Sequence, residues 1–177
     1  MTIIRETSIA RFTALAADVK PVDVPAGSYL WESDTNILYK TQDGTNWTAT
    51  NIKSTLKSTT INLQQAADDY DLFTGTAQDV LITKLVFALP AVNVADDSAI
   101  TSISIQTNNS TPQTFISSTS GAKANLTASA QLAWTGAIIL AATKKIQLTI
   151  NGGTADASTL CKVTVEYIPI TAGGYLS

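Results

Sequence analysis

The chain has 177 residues, 45% of them hydrophobic and only 14% charged, with a net charge of −3. That is well below the usual charged share of about 25%, and with a pI near 4.7 it excludes the clustered Lys and Arg that nucleic-acid binding needs. No histidine and a single cysteine exclude Ser-His-Asp and Cys-His catalysis, imidazole metal ligation and an internal disulfide.

The length suits one globular domain with a modest appendage. No run of about 18 apolar residues reads as a membrane helix. "MTIIRETSIARF" lacks the h-region and cleavage site of a signal peptide, so the expectation is assembly in a cytosol.

Residues 1–26 read as an N-terminal arm and linker. Ile9, Phe12, Ala16 and Val19 recur at helical spacing, with Thr7 or Ser8 as a cap. The same stretch also reads as an extended arm, with Ile3, Ile4 and Phe12 to bury on a neighbour. Pro21 and Pro25 hold the residues before them extended and end any helix.

Residues 27–50 read as a small meander of three strands: "SYLWE", "ILYKT" and "NWTAT". Asp34 and Asn36 serve the first turn, and Asp43-Gly44 is a strong signal for the second. Tyr29, Trp31, Ile37, Tyr39 and Trp47 all sit at odd positions, so each strand shows its rings on one face. Pairing of the strands is expected to gather Tyr29, Trp31, Tyr39 and Trp47 into one aromatic face. Three short strands do not stand alone, so these rings form the meander's core, cover a partner or offer a sugar-stacking platform.

Residues 51–58 read as a polar connector. From 59 to 170 the pattern is β throughout. Strands are predicted at 60–63, 70–73, 80–89, 99–107, 114–118, 131–134, 137–140, 145–150 and 160–168. They are rich in the branched and aromatic residues that pleated surfaces favour. Alternation is clean in "ITSISIQT", "KIQLTING" and "CKVTVEY". Short strands, regular turn signals and no helix between them predict an all-β, antiparallel, jelly-roll-like β-sandwich. Gly173-Gly174 makes residues 171–177 a flexible tail.

The chemistry-bearing residues are few. Cys161 lies in an apolar strand and reads as a small buried hydrophobe. Asp68, Asp69 and Asp71, with Asp96 and Asp97, raise the question of a calcium site or a glycosidase pair. Neither cluster follows a calcium-loop spacing, and both flank strands, where Asp closes turns. "NGGTADAS" lacks the phosphate-loop order. Four N-x-[ST] sequons begin at Asn46, Asn108, Asn109 and Asn125; they fit a Ser/Thr/Asn-rich composition. No catalytic residue, metal or cofactor is expected.

The stretch Gly27, Trp31, Glu32, Asp34, Thr35, Tyr39, Asp43, Gly44, Trp47 resembles a short segment that recurs in structural proteins of tailed bacteriophages. It covers about an eighth of the chain. Residues 59–170, with their Thr/Ser/Ala-rich surface, "YDLFT" opening strand and "VTVEYIPI" closing strand, are similar in texture to phage capsid decoration (cement) proteins and fibre jelly rolls. The resemblance implies a homotrimeric virion protein attached to a shell through its N-terminal region. Ile3, Ile4, Ile9 and Phe12 are the expected contacts with a major capsid or other virion protein. The alternative is a head- or tail-fibre module that presents Trp31, Tyr39 and Trp47 to a host-surface glycan or receptor.

Overall fold

A computed structural model describes residues 9–34, 37–50, 54–95, 98–170 and 173–177. The chain divides into two compact units, Met1–Lys53 and Ser54–Ser177.

The first unit is a four-stranded sheet in the order β1-β2-β3-β4. Its strands are β1 (Arg11–Ala14), β2 (Tyr29–Glu32), β3 (Ile37–Thr41) and β4 (Trp47–Ala49). The last three form the expected meander. β1 was not predicted as a strand. It runs parallel to β2, with Phe12 opposite Leu30 and Ala14 opposite Glu32. Of the two readings of residues 9–19, the extended one therefore holds over β1.

The second unit contains β5 (Thr55–Asn62), β6 (Asp69–Thr76), β7 (Val80–Ala88), β8 (Ser102–Thr107), β9 (Thr114–Ile116), β10 (Gln131–Leu140), β11 (Lys145–Asn151), β12 (Leu160–Pro169) and β13 (Tyr175–Leu176). Its pairings are nested: β5 with β12, β6 with β11, β7 with β10 and β8 with β9. β12 also pairs with β7, and β11 with β8. A doubled-over hairpin rolled into two sheets gives this order, β10-β7-β12-β5 facing β6-β11-β8-β9. That is the jelly-roll arrangement the alternation pattern predicts.

The inner faces form one core. Ile82, Leu85 and Phe87 of β7 meet Cys161, Val163 and Val165 of β12, with Ile103, Ile105, Ile146 and Leu148 in the same cluster. All ten are fully shielded from solvent. Each contributes roughly 1.5–3 kcal/mol through burial where the side chain is a large aliphatic or aromatic one.

Two irregularities explain where alternation fails. Leu72 and Phe73 are consecutive and both buried, because the β6–β11 register shifts beside them. On β7 the inward face changes parity between Ile82 and Leu85. A shift in the β12 register makes this change at Thr83, whose hydroxyl donates to the Glu166 carbonyl.

Three expectations at the margins are corrected. The predicted strands 131–134 and 137–140 are one strand, β10, with a bulge between Thr135 and Ile138. Gly136 lies in that bulge under the Trp134 ring, where a Cβ would come within 2.5 Å of Cζ2. Thr55–Ser58, predicted as connector, belong to β5 and pair with β12 through backbone bonds that need no apolar side chain. Tyr175 and Leu176, predicted as tail, pair with Thr76 and Gly75 of β6, and Leu176 is buried.

Candidate docking face

Parallel strands cannot be joined by a tight turn. The chain therefore crosses over between β1 and β2 through residues 15–28, and the crossover lies against one face of the first sheet. Lys20 Nζ sits 2.6 Å from Glu32 Oε1 and 4.4 Å from the centre of the Tyr39 ring. The Trp47 indole N–H donates to the Pro21 carbonyl at 2.7 Å. The Val24 N–H donates to the Gly44 carbonyl at 3.1 Å.

The Asp43 turn fixes the far end of this cover. Asp43 Oδ1 accepts from the N–H groups of Thr45 and Asn46, and the Thr41 hydroxyl accepts from the Gly44 N–H. These donors, the Asn46 bonds foremost, hold the Asp43 carboxyl well below the usual carboxylate range. Gly44 has φ +81°, and a Cβ there would lie 2.1 Å from the Val24 oxygen. Only glycine fits the turn beneath the crossover.

The covered face carries Leu30, Ile37 and Tyr39 as its buried centre, with Phe12, Ala14, Trp47 and Ala49 packed around it. Phe12 meets Trp47 edge-on, ring centres 6.0 Å apart. Glu32 is 1% exposed. A buried carboxylate is costly unless paired; Lys20 pairs this one, and the Tyr39 hydroxyl donates to its other oxygen at 3.4 Å. Burial first, then the Glu32 charge and this bond, push the Tyr39 phenol up to about 12.

The register splits the four rings between the two faces. Tyr29 stands opposite Lys40 and Trp31 opposite Leu38, so the odd residues of β2 share a face with the even residues of β3. Between β3 and β4 odd meets odd, Thr41 with Trp47. Tyr39 and Trp47 therefore lie under the crossover, whereas Tyr29 and Trp31 lie on the outer face. Arg11, Thr13, Leu38 and Lys40 join them there. The Lys40 ammonium lies 5.6 Å from the Tyr29 ring centre. Arg11, Thr13, Tyr29, Trp31 and Leu38, with Phe12, line an open concavity of ≈ 480 Å³.

Of the expected partner contacts, Ile3 and Ile4 lie outside the described residues. Ile9 is half exposed. Phe12 is turned into the unit's own core. Arg11, Thr13, Leu38 and Lys40 were missed; the parity of the β2–β3 turn is the signal for Leu38 and Lys40, whereas Arg11 and Thr13 reach this face only through the parallel pairing of β1.

The other chemical candidates are held in ordinary structural roles. Cys161 is fully buried, and that burial pushes its thiol up to about 12. Asp69 accepts from the Thr149 hydroxyl, and Asp71 from Lys145 and Gln147. Those donors, Lys145 foremost, lower the Asp71 carboxyl. All three partners lie on β11, the strand beside β6. Asp96 and Asp97 lie outside the described residues. Among the described residues, no three His, Cys, Asp or Glu side chains gather as a metal site.

No family model matches the sequence, and no curated protein matches it. Among solved structures, the chain is similar to one in the acidic stable capsid structure of Helicobacter pylori bacteriophage KHP30. The identity is 10%, the TM-score 0.47, and the match covers 70% of this chain and 92% of that one. At that score and identity the likeness assigns neither a family nor an activity.

Proposed function

We propose that this chain is a non-enzymatic structural protein of a phage particle, assembled in the host cytoplasm. In this reading the jelly roll supplies the bulk and the self-association, as a homotrimer that decorates or cements a capsid. The first unit attaches it to a shell protein. A jelly roll alone does not decide this, since shell proteins, lectins and cupins share it. The observation that carries the reading is the outer face of the first sheet, where Tyr29, Trp31 and Leu38 are half-buried. Trp31 and Tyr29 stand there over a concavity while the unit's core is already satisfied by Tyr39, Trp47 and Phe12. The resemblance of residues 27–47 to a recurrent phage-virion segment points the same way.

Burial of that face against a partner gains about 25 cal/mol per Å² of apolar surface, less the ordering costs of association. Three copies bound to one particle would add avidity.

A fibre module that binds host-surface glycan is the second reading. It is favoured by the outward Trp31 and Tyr29, but Tyr39 at 4% exposure and the tethered Trp47 would take no part.

The test is to purify particles from a producing culture and probe them with antibody to the chain. The chain should co-sediment with particles, and a variant lacking residues 1–53 should stay in the supernatant. Absence of the full chain from particles, or full attachment of the truncated one, would overturn the proposal.

A further inference from the structure

The outer face has a second feature beside its rings. β1 is an edge strand: among the described residues nothing pairs with its far side. The Tyr29 N–H donates to the Ala10 carbonyl and the Ser33 N–H to the Ala14 carbonyl. In a parallel ladder these bonds recur every second residue. The even residues of β1 thus carry the pairing with β2, and Arg11 and Thr13 turn their N–H and C=O groups outward. An unpaired edge of this kind is a template for an incoming strand.

Arg11 and Thr13 also point their side chains onto the outer face, at the rim of the concavity. A strand laid beside β1 at about 4.8 Å would set alternate side chains next to them. Among the described residues the charge there is of one sign: Arg11 and Lys40 are the charged residues of this face, in a chain whose net charge is −3. The acidic Glu32 is turned to the other face, under Lys20.

From these observations we infer that β1 and the Trp31 face bind an extended, acidic segment of a partner protein by strand addition. The partner's backbone pairs with Arg11 and Thr13. Its carboxylates meet the Arg11 guanidinium, a bidentate donor, within the field of Lys40. An apolar side chain two residues away enters the concavity over Thr13 towards Trp31. Main-chain bonds supply affinity and the alternating side chains supply specificity. The inference rests on the docking reading above and names the chemistry of its partner.

The test uses the full chain as bait for a displayed library of random linear peptides. The enriched sequences should alternate acidic and apolar residues. The strongest, made synthetically, should lose more than about tenfold in affinity against Trp31→Ala and against Arg11→Glu, with Thr48→Ala binding as the parent does. N-methylation of every second peptide amide, which leaves the protein untouched, should cause a loss of the same order in one of its two registers and little in the other.

No enrichment, enrichment of basic peptides, or binding that is indifferent to N-methylation in both registers would overturn the inference. So would Trp31-dependent binding of an oligoglucuronate with no peptide binding, which would favour the glycan reading. A chain found on particles that binds no such peptide loses this inference and keeps the proposed function. A chain that binds the peptide but is absent from particles does the reverse.

Discussion

The Trp47 indole N–H donates to the carbonyl of Pro21, 26 residues earlier, at 2.7 Å. This bond pins the crossover to the sheet at a point where Pro21 has no N–H of its own to offer. Trp47→Phe keeps a ring against Phe12 but leaves the Pro21 carbonyl without this donor, and should cost about 1–2 kcal/mol. Trp47→Ala also opens a cavity and should cost about 3–5 kcal/mol. Limited proteolysis, followed by mass spectrometry of cuts within residues 15–28, ranks the two variants.

Gly44→Ala should destabilise the first unit by more than about 1 kcal/mol, because φ +81° suits glycine and the new Cβ would meet the Val24 oxygen. Amide exchange at Gly27, Thr41 and Val24 should accelerate. Unchanged exchange there would show that the turn tolerates a side chain.

Lys20→Met removes the ammonium that faces the buried Glu32 carboxylate. Loss of one partner of a buried pair costs about 3–5 kcal/mol; Lys20 is 26% exposed, which places the effect toward the lower end. Adding Glu32→Gln to this variant should restore much of the loss. If the double variant is no more stable than Lys20→Met, as read by chemical denaturation, the pair is not the source of the effect.

Tyr39 should titrate late. Its folded value is about 12 against an ordinary value near 10, so the unfolded chain releases this proton first. The contribution is whole below pH 10 and is lost as pH rises towards 12. Ultraviolet phenolate absorbance should show a step near pH 12 that Tyr39→Phe removes, and the first unit should weaken over the same interval.

Gly136→Ala should disturb the contact between Trp134 and Phe115, whose ring centres are 4.9 Å apart and nearly perpendicular. The added methyl would fall 2.5 Å from the indole. Forcing that ring aside should cost about 1–3 kcal/mol, visible as a shifted tryptophan emission and a lower urea midpoint.

The sandwich was legible because its inner strands alternate: Ile103 and Ile105, Ile146 to Ile150, Cys161 to Tyr167. What escaped was set by partners rather than by the segment itself. Thr55–Ser58 are exposed and, Leu56 apart, polar, and only the backbone of β12 makes them a strand. Tyr175 and Leu176 are too short to show a period; Ser177 exchanges paired backbone bonds with Thr74 to hold them. β1 lies inside a stretch with the helical spacing of Ile9, Phe12 and Ala16, but parallel pairing with β2 overrides it over Arg11–Ala14. For the outer face, alternation within β2 correctly put Tyr29 and Trp31 together. It could not say which face of β3 they would join, because that depends on how the turn between them offsets the register.

The Ser58 and Thr164 hydroxyls lie 2.8 Å apart and are separated by 106 residues of chain. The first strand of the sandwich thus has no strand partner until β12 has left the ribosome. During synthesis β5 and β7 wait with β12's place between them vacant, and loop closure over so long a span is slow. An unpaired β5 edge in that interval is open to pairing between nascent copies, and its exposure lasts as long as the translation of residues 63–169.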